Sequence, residues 1–226
     1  MRITAFACLG LLILCFVVAC SQEAPPTEPA PPGTAEEPQA EEPEVEAEKG
    51  DLVAVISTRK GDIVVKLLPE LAPDTVSQFV QLAKAGFYMR TTFHYVSSGF
   101  IWGGDPFSRD NDALNDGLGN AGEWVEPEFN KEHKVERGCV GMMRKDNDPN
   151  SSSCQFFIVL RRKSEWDGKY NIFGDVIEGI EVADEISKVP RVKNNRKLAN
   201  RPAAKQIIRR IDIERRQLEE VTEEAS

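Results

Sequence analysis

The residue types that commonly carry chemistry are few in this 226-residue chain. Its histidines are His94 and His133, and together with the five cysteines they show no metal-ligand spacing. Asp105 follows two glycines, but no G-x-G-x-x-G or Walker spacing surrounds them, which indicates a turn rather than a phosphate-binding loop. Gln155 stands two residues before Phe157, so a strand would present both side chains on one face. The pattern therefore predicts neither a metal nor a nucleotide site, and it places an amide beside an apolar ring.

Cys139 and Cys154 are predicted to lie on one hairpin, with strands near 138–143 and 154–160. With the loop centred midway between these strands, Cys139 faces residue 158 or 159, and Cys154 lies roughly 16 Å away at the rise of a strand. A disulfide needs Cα atoms within about 7 Å of each other. We therefore expect both thiols to be free and buried.

The elements that position these residues follow from the apolar periodicity. Two segments have helical spacing, one that begins at Pro73 and Asp74 and stops at Gly86, and one near 180–188. Seven segments have the composition of strands: 52–57, 63–68, 92–97, 138–143, 154–160, 171–176 and 207–213. Strand pairs beside two lone helices indicate a closed or sandwiched antiparallel sheet rather than βαβ units.

The charge of the chain is concentrated near its N-terminus. Residues 1–50 hold two basic and nine acidic side chains, whereas the remaining 176 residues hold 26 basic and 28 acidic ones. This balance disfavours nucleic acid as a partner, because phosphate binding needs clustered Lys and Arg. Residues 51–215 are long enough for one buried core. We expect a single domain there, followed by a frayed acidic tail at 216–226.

The first twenty residues are typical of an export signal. Arg2 is followed by an uncharged apolar run from Ala5 to Ala19, which is short for a membrane span. The run ends in V-V-A-C-S, which resembles the bacterial lipoprotein box. The resemblance implies that residues 1–19 are removed and that Cys20 carries a lipid, which would anchor the chain in the cell envelope facing the periplasm. A Ser after the Cys favours the outer membrane of a Gram-negative cell. The alternative is an ordinary secretory signal with incidental cysteines.

A tether is predicted at 20–50. Residues 21–49 contain seven prolines and nine glutamates and no aromatic residue, so they cannot bury enough apolar surface to offset the ordering of their backbone. At roughly 3.1 Å per residue the segment could hold a domain up to about 90 Å from its anchor. A partner-binding role for this Pro/Glu tract is the less favoured alternative.

Five motifs appear in order along the body. They are T-R-K-G-D-I-V-V-K-L, A-P-D-T-V-S-Q-F-V-Q-L-A-K-A-G-F-Y, T-T-F-H-Y-V-S-S-G-F-I-W-G-G-D-P, G-M-M-R-K-D-N-D-P-N-S-S-S-C-Q-F-F-I and D-G-K-Y-N-I-F-G-D-V-I-E-G. Together they resemble the cyclophilin family of peptidyl-prolyl cis–trans isomerases over essentially all of 51–215. The resemblance implies a mainly β fold, a closed eight-stranded antiparallel β-barrel capped by two α-helices, with a proline-binding groove on the outside of the barrel.

The resemblance also implies the chemistry. Rotation about a peptide C–N bond faces a barrier of about 18–20 kcal/mol and breaks no bond, so no nucleophile, metal or cofactor is required. An apolar pocket holds the proline ring, and hydrogen bonds favour the twisted amide over the planar one. In the family an Arg follows the F-H pair, and its guanidinium stabilises the twisted amide. His94 is expected to be a hydrogen-bonded structural residue rather than a general base, because no proton is transferred.

Tyr95 stands where the family has that Arg. Tyr offers one neutral O–H donor, whereas Arg offers five donors and a fixed charge. Charge-assisted hydrogen bonds are roughly twice as strong as neutral ones, and losing about 2–4 kcal/mol of transition-state stabilisation costs about 30- to 1,000-fold in rate. The next segment, F-I-W-G-G-D, is one residue shorter than the family's F-M-x-Q-G-G-D. The groove Gln of the family is therefore deleted or replaced by Trp102.

The resemblance assigns roles to ten residues. The candidate catalytic residues are Tyr95, Phe100 and Gln155. The candidates for peptide contact are Ile101, Trp102, Met143, Arg144, Phe157, Trp166 and Tyr170. Phe100 and Phe157 match the floor and wall of the proline pocket, and Ile101 stands where Met is usual in the family. Without the resemblance all three would be interpreted as core residues.

Two of these assignments leave alternatives open. One residue separates Trp166 from Gly168 where the family has two, so the position of this indole is open. The guanidinium of Arg144 is a possible substitute for the missing cation, and the alternative is an exposed side chain paired with Asp146 or Asp148.

Two functions of different class follow. The first is a lipid-anchored isomerase, a monomer by default, that acts on X–Pro bonds of unfolded or newly exported polypeptides. The second is a chaperone or assembly module that binds extended proline-containing segments in the same groove with little or no turnover.

Overall fold

A computed structural model describes residues 50–193 and 195–218. Within them the chain forms one sheet of eight antiparallel strands, which starts with the first hairpin. The predicted signal peptide, Cys20, the tether up to residue 49 and the tail beyond residue 218 lie outside the described residues. The strands are β1 (Asp51–Thr58), β2 (Asp62–Leu67), β3 (Phe93–Val96), β4 (Phe100–Gly103), β5 (Cys139–Met142), β6 (Phe156–Val159), β7 (Ile172–Glu178) and β8 (Ile208–Arg216). The helices are α1 (Pro73–Lys84) and α2 (Ile180–Ser187).

The sheet curls until its two edge strands approach each other. Its order is β3-β4-β6-β5-β7-β2-β1-β8. The backbone N–H of Ile208 donates to the carbonyl of Thr91 at 2.8 Å, and that of Phe93 donates to the carbonyl of Gln206 at 2.9 Å. The eight-stranded antiparallel architecture with two helices is confirmed. The expected closure is overstated, because the edges meet only over this short stretch.

Strand β4 was not indicated by the apolar pattern, since it is only four residues long and two of its members are Gly103 and Trp102. A tight turn creates it. The N–H of Ser97 donates to the carbonyl of Phe100 at 3.0 Å, and the Ser97 hydroxyl accepts from the N–H of Phe100 at 3.2 Å. The resulting β3–β4 hairpin places Tyr95 opposite Trp102.

The other predicted elements are present with small shifts at their ends. Strand β8 continues to Arg216, which pairs with Asp51, so it passes both the predicted strand end and the predicted domain end at residue 215. In the β5–β6 hairpin Val140 pairs with Ile158, which is the register expected from the loop position. Cys139 and Cys154 are both free and buried, as predicted.

Alternation of side chains along the strands separates two apolar regions. On β6, Phe156 and Ile158 point into the barrel core, where Phe156 packs edge-on against Phe79 of α1 with ring centroids 5.7 Å apart. Their neighbours Phe157 and Val159 point outward into a second cluster. The outer face of the barrel therefore carries an apolar patch that is separate from the barrel core.

Helix α1 receives its N-terminal cap from a distant loop. Ala72, which precedes the helix, provides no side-chain cap. Instead, the Glu128 carboxylate accepts the N–H groups of Asp74 and Thr75, each at 2.9 Å. The side-chain oxygen of Asn171 accepts the N–H of Glu128 at 2.8 Å, which fixes the loop in place. The cap ties the helix to the segment that leads into the outer patch.

We expect the Glu128→Ala variant to lower the free energy of unfolding by about 1–2 kcal/mol, because two helix N–H groups lose a charged acceptor. Urea denaturation measures the change. The Glu126→Ala variant is the control, since this side chain in the same loop is exposed, and it should change stability by no more than about 0.5 kcal/mol. Equal losses in the two variants would contradict the capping role.

Candidate functional site

Four aromatic rings form the centre of the outer patch, and we call them the aromatic cluster: Phe100, Phe157, Trp166 and Tyr170. The Trp166 indole lies between the others, with centroid distances of 4.9 Å to Phe100, 4.9 Å to Phe157 and 4.8 Å to Tyr170. Phe157 and Tyr170 meet edge-on at 5.4 Å. The structure thus brings together the two predicted pocket phenylalanines outside the barrel core.

The Trp166 indole covers Phe157, whose side chain is 0% exposed. The indole is held by the short 3-10 helix Ser164–Trp166 and by Asp167, which accepts the N–H of Val135 at 2.9 Å. Arg162 forms an ion pair with Asp167 at 2.5 Å and, as the main cause, lowers the pKa of that carboxyl to about 2. In this arrangement Phe157 has no exposed surface for a proline ring to contact. The sequence left the position of Trp166 open, and the structure places it over the predicted pocket.

Tyr95 borders the cluster through a stacked contact. Its ring lies 5.0 Å from that of Phe100 at an interplanar angle of 15°. The side-chain amide of Asn200 donates to its hydroxyl at 3.0 Å, so the hydroxyl keeps its own proton for a second partner. Burial raises the pKa of Tyr95 above its usual value. At neutral pH this position is therefore a neutral donor that is oriented from the loop before β8.

Ile101 is a correction to the predicted contact residues. Its side chain is 0% exposed and packs in the barrel core, because adjacent residues on β4 point to opposite faces. Phe100 and Trp102 take the outward face instead. As placed, Ile101 can support the hairpin, and it does not face the groove.

Trp102 separates two cavities on the outer face. The first, of about 260 Å³, lies beside Tyr95, and the second, of about 460 Å³, lies beside Gln155. The indole packs edge-on against His94 with a centroid distance of 4.7 Å. Among the described residues its Nε1–H has no hydrogen-bond acceptor. Trp102, which lies where the family motif is shortened, therefore has a buried donor without a hydrogen-bond partner among the described residues.

Gln155 lines the second cavity together with Met143 and Arg144. Its amide nitrogen donates to the carbonyl of Gly119 at 2.7 Å, while its Oε1 has no partner within the described part of the chain. The fixed amide orientation thus leaves a buried acceptor without a partner. Trp102 lines the same cavity, so one buried donor and one buried acceptor without partners among the described residues lie in its wall.

Arg144 is held away from Tyr95. Its guanidinium lies 4.8 Å from the ring centroid of Tyr170 and donates to the carbonyls of Lys169 at 2.9 Å and Asp146 at 3.1 Å. It contacts the backbone of Asp146 rather than the carboxylate that was the alternative expectation. The cation stands at the Tyr170 end of the aromatic cluster, whereas Tyr95 stands at the Phe100 end.

Sequence reasoning missed the cationic wall of the first cavity. Arg196, Lys197 and Arg201 line it together with His94 and Tyr95. Arg201 is ion-paired with Asp116, and both side chains are largely buried. The available signal was the loop at 190–204, which contains five basic residues and no acidic one.

Away from these cavities, His133, Cys139 and Asp175 place one donor atom each within 4.8 Å of one another. Sequence spacing did not indicate this group of potential metal ligands. No helix among the residues that the structure describes has the length and apolar character to cross a membrane.

Comparison with known proteins identifies the family and the fold. The model of the family described as cyclophilin type peptidyl-prolyl cis-trans isomerase/CLD matches residues 53–213. The chain belongs to the cyclophilin family. The aromatic cluster and the two cavities thus lie on the outside of a cyclophilin barrel, where the sequence motifs predicted the proline-binding groove.

Similar cyclophilins occur in distant organisms. A probable peptidyl-prolyl cis-trans isomerase of Brucella suis is 36% identical over 62% of this chain and 74% of its own length. The chain also matches peptidyl-prolyl cis-trans isomerase-like 2 of Cryptococcus neoformans at 35% identity over 74% of this chain, but it spans only 28% of that relative. A cyclophilin-type isomerase from Cryptosporidium parvum, crystallised in the presence of the dipeptide Ala-Pro, superposes with a TM-score of 0.64 at 28% identity over 73% of this chain and 99% of its own.

His94 gives a prediction about acid stability. Burial lowers the pKa of His94 to about 4, so the folded protein holds the ring neutral while the unfolded chain binds a proton below about pH 6.5. This contribution to stability is present above about pH 6.5 and is lost as the pH falls toward 4, by on the order of 3 kcal/mol in total. In the His94→Phe variant we expect a flatter dependence of the unfolding free energy on pH.

Urea denaturation between pH 7.5 and pH 4.5 measures both curves. The His133→Gln variant, which removes the other histidine, is the control. It shows whether the change in pH dependence of the unfolding free energy is specific to position 94 or common to both histidines. Parallel curves for wild type and His94→Phe would contradict the buried neutral state of His94.

Proposed function

We propose that the protein accelerates cis–trans isomerisation of X–Pro bonds in exported polypeptides, with reduced turnover because Tyr95 replaces the family Arg. The observation that carries the proposal is the groove on either side of Trp102, in whose wall a buried donor and a buried acceptor lack partners among the described residues. Buried polar groups without partners are costly. An extended peptide backbone supplies the complementary acceptor and donor.

Each groove residue has a defined task in this proposal. The Nε1–H of Trp102 and the Oε1 of Gln155 hold the backbone around the proline, and the exposed part of Phe100 contacts the proline ring. The Tyr95 hydroxyl donates to the amide as it twists out of plane. Because no bond breaks, positioning and hydrogen bonding alone lower the rotational barrier.

The substrate class is proline-containing, unfolded or extended polypeptide. The motifs of the groove support it, and the related Cryptosporidium enzyme was crystallised with Ala-Pro. As an export-linked protein, the chain would meet such segments before they fold. X–Pro isomerisation takes tens of seconds or more unaided, which is slow enough to limit folding.

A binding module with little turnover is the second candidate function, and two observations favour it. The Trp166 indole covers the predicted pocket residue Phe157, and the only donor at position 95 is neutral. A groove that binds the planar and the twisted amide equally well increases affinity without increasing the rate. The same surface would then retain proline-rich segments.

Replacement of Tyr95 separates the two functions. We expect Tyr95→Arg to raise kcat/KM for an Ala-Pro peptide by about 30-fold or more, because a charged donor recovers at least about 2 kcal/mol of transition-state stabilisation. Tyr95→Phe, which keeps the ring and removes the hydroxyl, should lower kcat/KM by about tenfold. Protease-coupled and NMR exchange assays on residues 21–226 measure both.

Three results would count against this account. Wild-type activity within about tenfold of ordinary cyclophilins would show that the neutral donor costs little. An unchanged rate in Tyr95→Arg would mean that position 95 does not reach the amide. Background activity in wild type and in Tyr95→Arg, together with measurable peptide binding, would favour the binding module.

We also propose that Cys20 carries a lipid that anchors the protein in the cell envelope, facing the periplasm. The V-V-A-C-S sequence and the Pro/Glu-rich segment after it support this. Radiolabelled palmitate should be incorporated into the wild type and lost in Cys20→Ala. The Cys15→Ala variant, altered in the preceding apolar run, is the control and should keep the label. Equal labelling of Cys20→Ala and wild type would contradict the anchor.

A further inference from the structure

Three side chains on the outer face of the sheet direct different donor atoms toward one point. The Sγ of Cys139 lies 3.6 Å from the Nε2 of His133, and that nitrogen lies 3.9 Å from an Oδ2 of Asp175. All three donor atoms are within 4.8 Å of one another. Thiolate, imidazole and carboxylate are the three ligand types that proteins use for zinc.

The fold creates this group from distant parts of the chain. Cys139 on β5 and Asp175 on β7 are direct partners in the sheet register. His133 arrives from the preceding loop, where the side-chain oxygen of Asn130 accepts its N–H at 3.0 Å. Two of the three ligands therefore sit on rigid strands, and the third sits on a loop that a side chain holds in place.

The separations fit the edges of a tetrahedral site. Zn–S and Zn–N bonds of about 2.3 Å and about 2.0–2.1 Å require a sulfur–nitrogen edge of about 3.6 Å, which is the observed separation of the Cys139 and His133 donor atoms. The somewhat longer distance to Asp175 closes by rotation of a partly exposed carboxylate. Solvent access at His133 and Asp175 gives an ion an entry path and leaves a fourth position for water.

The charge around the group also suits a dication. Arg162, whose guanidinium interacts electrostatically with Cys139, is already paired with Glu136 at 2.6 Å and with Asp167 at 2.5 Å. The thiol of Cys139 now donates to the carbonyl of Lys134 at 3.4 Å. Burial and the Asp175 carboxylate raise the pKa of Cys139 to about 12, so binding of a metal must release this proton.

We propose that His133, Cys139 and Asp175 bind one Zn²⁺ ion, with water as the fourth ligand. The ion would fasten the loop at 133–138 to strands β5 and β7. That loop contains Val135, which binds the Trp166 segment through Asp167 and through the N–H of Lys163, and Cys139 itself packs in the same cluster as Phe157. The proposal does not depend on the proposed isomerase activity.

Cobalt titration tests the site directly. We expect reduced residues 21–226 to bind one equivalent of Co²⁺ with thiolate-to-cobalt charge-transfer absorption, and Zn²⁺ to displace it. Cys139→Ser should abolish the absorption, whereas Cys154→Ser, altered at the other buried thiol, should keep it. His133→Ala and Asp175→Asn should each weaken binding at least tenfold. These two residues are partly exposed, so the variants test the site even where Cys139→Ser fails to fold.

Thermal unfolding gives a second readout. Zn²⁺ at about 100 times its Kd should raise the stability of the wild type and leave that of Asp175→Asn unchanged at the same concentration. Absence of charge-transfer absorption at one equivalent of Co²⁺ would overturn the proposal. So would wild-type affinity in His133→Ala, or an absorption that is lost in Cys154→Ser and kept in Cys139→Ser.

Discussion

The alternation of side chains along two neighbouring strands is the constraint on which the outer surface depends. β4 and β6 are paired, with Trp102 opposite Phe157, and every second residue of each must enter the barrel. Phe156 and Ile101 fill the interior, so Phe157 and Trp102 are forced outward. A slip of one residue in either strand would exchange the core with the groove. Packing of the barrel thereby determines which aromatic rings a ligand can meet.

The same constraint explains which parts could be predicted. Long apolar periods placed α1, α2 and most strands, and the five motifs placed the groove, because these signals extend over many residues. The prediction for Ile101 was wrong because the family motif is shortened by one residue just after it. Motif matching does not show on which face of the sheet a strand residue then lies. The capping of α1 by Glu128 and the pairing of Cys139 with Asp175 could not be predicted from the sequence, for another reason. Both join residues that are remote in sequence.

Trp166 shows how a local deletion changes a surface. The sequence indicated one residue too few before Gly168, without showing where the indole would move. In the structure the segment is tied by Asp167 to Arg162 and Val135, and the shortened connection leaves the indole over Phe157. Its burial stabilises the outer patch through ring contacts. In the proposed function, a proline ring that binds at Phe157 has to displace those contacts, which uses part of its binding energy.

The chemistry at position 95 is then a question of differential binding. In the proposed function, Trp102 and Gln155 hold a peptide backbone in any state of the X–Pro bond, which affects affinity more than rate. Only a donor that meets the twisted amide better than the planar one accelerates rotation. The Tyr95 hydroxyl is oriented in advance by Asn200, which reduces the cost of positioning it. In the proposed function, its lack of charge limits what that orientation can contribute, and this limit, rather than the shape of the barrel, would separate an efficient catalyst from a proline-binding surface.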